Sequence, residues 1–154
     1  MSIRTRIVRF GTRALLEQPA QRRSYDQLIA ALETAGQGIM AHIAGKPDTA
    51  RNRDYLQHVI GIERWGQRRL QTALGAPATT DEYDAYRPAD DTLARLAQSF
   101  QTTRQESIAL ARQLQARGIA KNTPVRHNQF GEITVAAWLR YLAMHASFES
   151  KRIR

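Results

Sequence analysis

Four stretches of the chain repeat apolar residues with the 3.6-residue period of a helix that buries one stripe. From Ser24 to about Ala44 the apolar positions are Tyr25, Leu28, Ile29, Leu32, Ile39, Met40 and Ile43. Ser24 suits an N-cap with Gln27 as its capping-box partner, and Gly45 and Pro47 end the pattern. Gly36 and Gly38 lie within it, where a kink or a close backbone approach is expected. A second helix is predicted from about Arg53 to Leu74, with Tyr55, Val59, Ile62, Gly66, Leu70 and Ala73 on its stripe and Gly75 and Pro77 as its stop. The third starts near Asp90 or Asp91, shows Leu93, Leu96, Ala97, Phe100, Ile108, Ala111 and Leu114, and ends at Gly118. The fourth starts around Ile133 or Thr134 and runs towards Ile153, with Val135, Trp138, Leu139, Leu142, His145 and Glu149 along one face. Ala76–Ala89 and Ile119–Gly131 read as loops, and no stretch alternates cleanly enough for a strand, although Pro124–Phe130 is a candidate extended segment. The expectation is an all-α protein, a single four-helix bundle over residues 24–154. The two long joins leave room for connections other than simple up-down-up-down.

Length and composition agree with one domain: 154 residues, 42% of them hydrophobic. The absence of cysteine excludes disulfides, a thiolate metal site and a Cys nucleophile. No apolar run reaches the ~18 residues of a membrane span, and no secretory segment is evident, so a cytoplasmic location is expected. The net charge of +9 raises polyanion binding as a reading. Only Lys46, Lys121 and Lys151 are lysines among the 23 basic residues; the rest are arginines, scattered over all four helices without interleaved aromatics. A basic nucleic-acid-binding bundle is therefore the weaker alternative. Residues 1–23 form a basic lead-in. Arg4, Arg6, Arg9 and Arg13 alternate there with Ile3, Ile7, Val8 and Phe10, which suits either a transit-like or surface-binding segment or a lead-in packed on the domain.

The candidate chemistry lies in polar residues on apolar stripes. His145 sits on the buried stripe of the last helix and Glu149 follows four residues later, so both project from one face a turn apart. Burying them is costly unless something satisfies them, and a metal ion does so. His58, at the edge of the second stripe, is the natural third ligand. Two imidazoles and a carboxylate suit a divalent Zn, Ni, Mn or Fe with open positions for water or substrate. The alternative is a metal-free ligand-binding or interaction bundle, in which Glu149 is held by His145 or by a nearby Arg such as Arg152. His42, at the end of the first helix, and His127, in a loop, read as structural or solvated. Glu63, Arg64 and Arg69 read as surface charges or supporting groups. No phosphate-cradling glycine loop and no G-x-S-x-G elbow is present.

Three segments resemble one known family. Tyr55-Leu-Gln-His58-Val-Ile-Gly-Ile-Glu63-Arg-Trp65 is similar to the second-helix signature of the DinB-like (damage-inducible) metal-binding four-helix proteins. His127-Asn-Gln-Phe130-Gly131-Glu-Ile-Thr134 resembles that family's entry to its last helix. Trp138 through Ile153 matches its H-x-x-x-H helix in register, with His145 in the first position and Glu149 where the second His usually stands. The resemblance covers about Tyr25 to Ile153. It implies up-up-down-down-type connections, a homodimer, and a three-ligand divalent-metal site at His58, His145 and Glu149. Bacillithiol transferases and mycothiol-dependent maleylpyruvate isomerases are related, which implies a transferase- or hydrolase-like enzyme acting on a small molecule, with a low-molecular-weight thiol as cosubstrate. The carboxylate in place of the second His would harden the site towards Zn, Mn or Fe, or mark a member that has lost its metal.

Overall fold

The computed structural model describes residues 14–89 and 92–154. Its helices are α1, described over 14–21, α2 (Tyr25–Ile43), α3 (Ala50–Leu70), α4 (Leu93–Ala116) and α5 (Val135–Ser150). Single 3-10 turns follow at Gln71–Leu74 and Tyr83–Tyr86. Each long helix begins on a residue whose hydroxyl accepts a backbone N–H of its first turn: Ser24, Thr49, Thr92 and Thr134. At Ser24 the reciprocal bond from Gln27 completes the capping box. The start expected at Asp90 or Asp91 lies outside the described residues.

Part of the basic lead-in belongs to the fold. Leu16 and Ala20 of α1 are buried in the main core, and the Glu17 carboxylate accepts from the backbone N–H and the hydroxyl of Thr134. Met1 to Arg13, with the transit-like reading, lie outside the described residues.

The second long loop contains two short strands that periodicity did not mark. β1 (Pro124–His127) pairs antiparallel with β2 (Gly131–Thr134), Val125 opposite Ile133. Both are buried, while Arg126 and Glu132 face outward. Four residues allow only two inward positions, too few for alternation to stand out from a loop.

Residue pairs between helices fix their directions. His58 meets His145, and Gly66 meets Leu142 and Trp138, so α3 and α5 are antiparallel. Arg64 reaches Ser99 and Thr103 while Gln67 reaches Ser107, so α3 and α4 run parallel. Arg112 pairs with Glu33 and Gln115 with Asp26, and Met40 lies near Phe100, so α2 and α4 are antiparallel. α2 packs on α5 and α4. The order is up-down-down-up, not the expected up-up-down-down. The long join 71–92 carries the chain back along the bundle so that α4 can repeat the direction of α3. The core between these helices is apolar, with Phe100, Trp138, Leu32, Leu56 and Leu139 fully buried.

One ionic centre interrupts it. Arg104 of α4 holds Glu63 of α3 through two contacts of 2.9 Å, and Ser107 donates to the same carboxylate at 2.7 Å. Arg104 also donates to the Leu32 carbonyl of α2 at 3.1 Å. Glu63 is 1% exposed and Arg104 2%. The expectation of a surface or supporting charge at Glu63 is corrected here. Its carboxylate is tied to a buried guanidinium donated by another helix, a partner that the spacing of one helix does not reveal.

Candidate functional site

Gly66 sets the approach of α3 to α5. A β carbon there would stand 2.6 Å from Leu142 Cδ2 and 3.2 Å from the Trp138 ring, so only glycine lets the helices close this far. Two turns along, the same crossing brings the His58 and His145 rings together, centroids 5.2 Å apart and tilted by 56°. Tyr83, on the 3-10 turn of the loop, sets its ring edge-on to His58 at 5.1 Å. Tyr141, one turn before His145, lies 5.4 Å from it.

Neither imidazole has a hydrogen bond to another described residue. Burial lowers the His145 pKa to about 4, with the nearby His58 adding to the effect. Burial also lowers His58, with the charge of Arg87 acting in the same direction. Both rings are therefore neutral at neutral pH and keep a free lone pair, which is the form that ligates cations or accepts a proton. Burial pushes the Tyr141 phenol upward, so its hydroxyl stays a donor.

Glu149 follows one turn after His145 as expected, but its carboxylate faces Arg152, Oε2 to guanidinium nitrogen 3.3 Å. It does not bond to His145. Its charge still acts on His58 and Tyr141, so it borders the cluster. Of the expected trio, the structure brings His58 and His145 together and leaves Glu149 at the edge. Among the described residues no group of three or more His, Asp or Glu side chains is gathered to hold a metal ion.

Of the structural and solvated readings of His127, the structural one holds: the residue closes β1, where a loop was expected, at 2% exposure. It stacks on Phe130 at 4.3 Å and meets Trp138 at 4.8 Å, Trp65 at 5.0 Å and Tyr141 at 5.1 Å. Its Nδ1 accepts from the backbone N–H groups of Gln129 (3.1 Å) and Phe130 (3.3 Å). The neutral ring then carries its proton on Nε2, which is buried without a hydrogen-bond partner among the described residues. Burial, with Arg69 and His145 adding to it, lowers its pKa to about 4. The signal was present: once Val125 is placed inward, His127 two residues on shares its side of the strand.

The remaining charges are architectural. Arg69, read as a surface charge or a supporting group, is 2% exposed and donates to Thr79, the Asp81 carbonyl and Asn128, tying the loop 75–89 to the turn between β1 and β2. Trp65 lies under its guanidinium at 5.2 Å and these acceptors engage its two terminal nitrogens, while its Nε is buried without a hydrogen-bond partner among the described residues. Arg64 donates to Thr103 and Ser99. His42, read as structural, contacts the Ile153 carbonyl through Nε2 at 2.9 Å.

No helix of the described residues is long and apolar enough to cross a membrane. No curated protein and no solved structure matches the chain. A family match does exist, over residues 20–147, a span that includes α2 to β2, the His58–His145 pair and most of α5. On that match the chain belongs to the DinB superfamily.

Proposed function

We propose that this DinB-superfamily chain binds a divalent cation, Zn, Ni, Mn or Fe, through His58, His145 and Glu149, and that it is an enzyme of transferase or hydrolase type acting on a small molecule. The observation that carries this reading is the facing pair of neutral imidazoles with no competing hydrogen bonds. The third donor would have to leave Arg152 to join the pair. Glu149 is 23% exposed and its partner Arg152 59%, and an ion pair that open to solvent contributes about 0–1 kcal/mol, so a cation can displace it. A bound cation would supply Lewis acidity towards a water or the thiolate of a low-molecular-weight thiol. The chain's own residues do the rest. Tyr83 and Tyr141 wall the pair with aromatic surface, Tyr141 keeps its phenolic proton, and Arg87 helps to hold His58 neutral. A dimeric, cytoplasmic protein is part of the same reading.

Elemental analysis of tag-free protein purified without chelator tests it. Near-stoichiometric divalent metal is expected, lost in His58→Ala while the far-UV circular dichroism stays helical. Full metal occupancy in His58→Ala would remove the ligand assignment.

A second reading follows from the Glu149–Arg152 pair itself. If that pair is permanent, the bundle is a metal-free binder whose ligand addresses the imidazoles directly. It predicts no metal and no thermal shift with divalent ions.

A further inference from the structure

α2 and α5 lie side by side and run in the same direction, and a groove of about 620 Å³ opens along them, away from the imidazole pair. Its floor is small and apolar, with Ala31 and Met144 among the residues that line it, and Phe148 stands at its side 60% exposed. All the charged residues that line it are cationic: Arg23, Arg140 and Lys151. Arg140 has no ion pair with a described carboxylate, and its Nε is buried without a hydrogen-bond partner among the described residues. Arg23 bears on it with a like charge. At the other end Lys151 lies over the Phe148 ring at 5.4 Å. From Arg140 to Phe148 the helix rises about 12 Å, so charge and apolar surface are laid out in sequence along the groove.

We propose that this groove binds a free anionic amphiphile, a carboxylate on an apolar chain of medium length, with its head between Arg23 and Arg140 and its chain laid along the groove to Phe148. The volume falls in the ordinary range for a small-molecule site, about 300–1,000 Å³. A carboxylate supplies the counter-charge that Arg140 lacks among the described residues. A second copy of the chain fits poorly, because a two-fold contact would set the same cationic face against itself.

The test is calorimetric titration of dodecanoate, below its micelle concentration and without divalent ions, into the full chain. Saturable binding is expected, weakened about tenfold or more in Arg140→Gln and in Arg23→Gln by loss of a charge-assisted contact. Dodecyltrimethylammonium, with the same tail and the opposite charge, should not bind. Absence of dodecanoate binding overturns the proposal. So does wild-type affinity in either variant, or equal binding of the cationic analogue, which would make the groove merely apolar. Binding to anionic vesicles without binding of the free acid would assign the face to a membrane. A dimer dispersed by Ala31→Glu would assign it to a second copy. Either result overturns the proposal.

Discussion

Two polar clusters share α3, one facing α4 and the other facing α5, and burial is handled differently in each. At the Glu63–Arg104 centre the carboxylate is held at both oxygens, and the guanidinium also reaches the Leu32 carbonyl of a third helix. Burial pushes the Glu63 carboxyl upward against the opposing pull of Arg104 and Ser107. At the imidazole corner, His58 and His145 contact rings and, among the described residues, nothing that hydrogen-bonds them, and the buried His127 Nε2 likewise lacks a partner there. A buried group held by partners on several helices locks those helices in register, even though Arg104 Nε makes an ion-pair contact and no hydrogen bond; groups left without such partners cost stability, which a ligand can offset. The first cluster is architecture, and the second is the place to look for chemistry.

The largest effect should come from breaking the closed centre on one side only. Glu63→Ala leaves Arg104 charged in the core and should cost about 3–5 kcal/mol in urea denaturation, while Glu63→Leu with Arg104→Met should recover most of it, since no unpaired charge remains. A loss under about 1 kcal/mol in Glu63→Ala would show that water reaches this pair, and the contrast with the imidazole corner would collapse.

This centre also marks how far the sequence could be read. The four long helices were legible because each carries a long stripe, and Ser24 with Gln27 announced a start that the structure reproduces, whereas the short α1 was read as part of a lead-in. His58 and His145 were legible because each interrupts such a stripe. What stayed hidden depends on partners distant in sequence. Nothing within α3 says that Glu63 meets a guanidinium 41 residues away. Nothing near His127 says that Trp65, Trp138 and Tyr141 surround it. Glu149 sits on the expected face, yet which neighbour takes its carboxylate is decided by side-chain orientation, and Arg152 takes it.

Next in size is a pH effect at the corner. His127 has a folded pKa of about 4 against an ordinary value of 6.5. Between these values the unfolded chain binds the extra proton and the folded chain does not, so stability is complete above pH 6.5 and declines as pH falls towards 4. The decline from this one group is on the order of 3 kcal/mol. His127→Asn, which can still accept from Gln129 and Phe130, should flatten that part of the curve, as read by denaturation at a series of pH values. An unchanged slope would assign the acid sensitivity to another group.

Gly66→Ala sharpens the link between the helix crossing and the pair it positions. The added methyl meets Leu142 and Trp138, both buried, and overpacking of this kind costs about 1–3 kcal/mol. If α3 and α5 are pushed apart, metal affinity should fall along with stability. Wild-type affinity in a destabilised Gly66→Ala protein would mean that the pair does not depend on this approach.

The smallest stability effect is expected at the site itself. His58 and His145 have no hydrogen bond to another described residue, so replacing either by Leu removes no such bond and adds apolar surface to a partly buried position. The change in unfolding free energy should stay within about 1 kcal/mol, and a slight gain is compatible with a group kept at some cost to stability. The same variants should lose the thermal shift that zinc is expected to give the native chain under the proposed function. That combination, little change in stability with loss of binding, is the reverse of what Glu63→Ala should give, since that variant weakens the fold without removing a ligand. A His58→Leu protein as damaged as Glu63→Ala would place the imidazole pair with the architecture, and the proposed site would have to be sought elsewhere on the bundle.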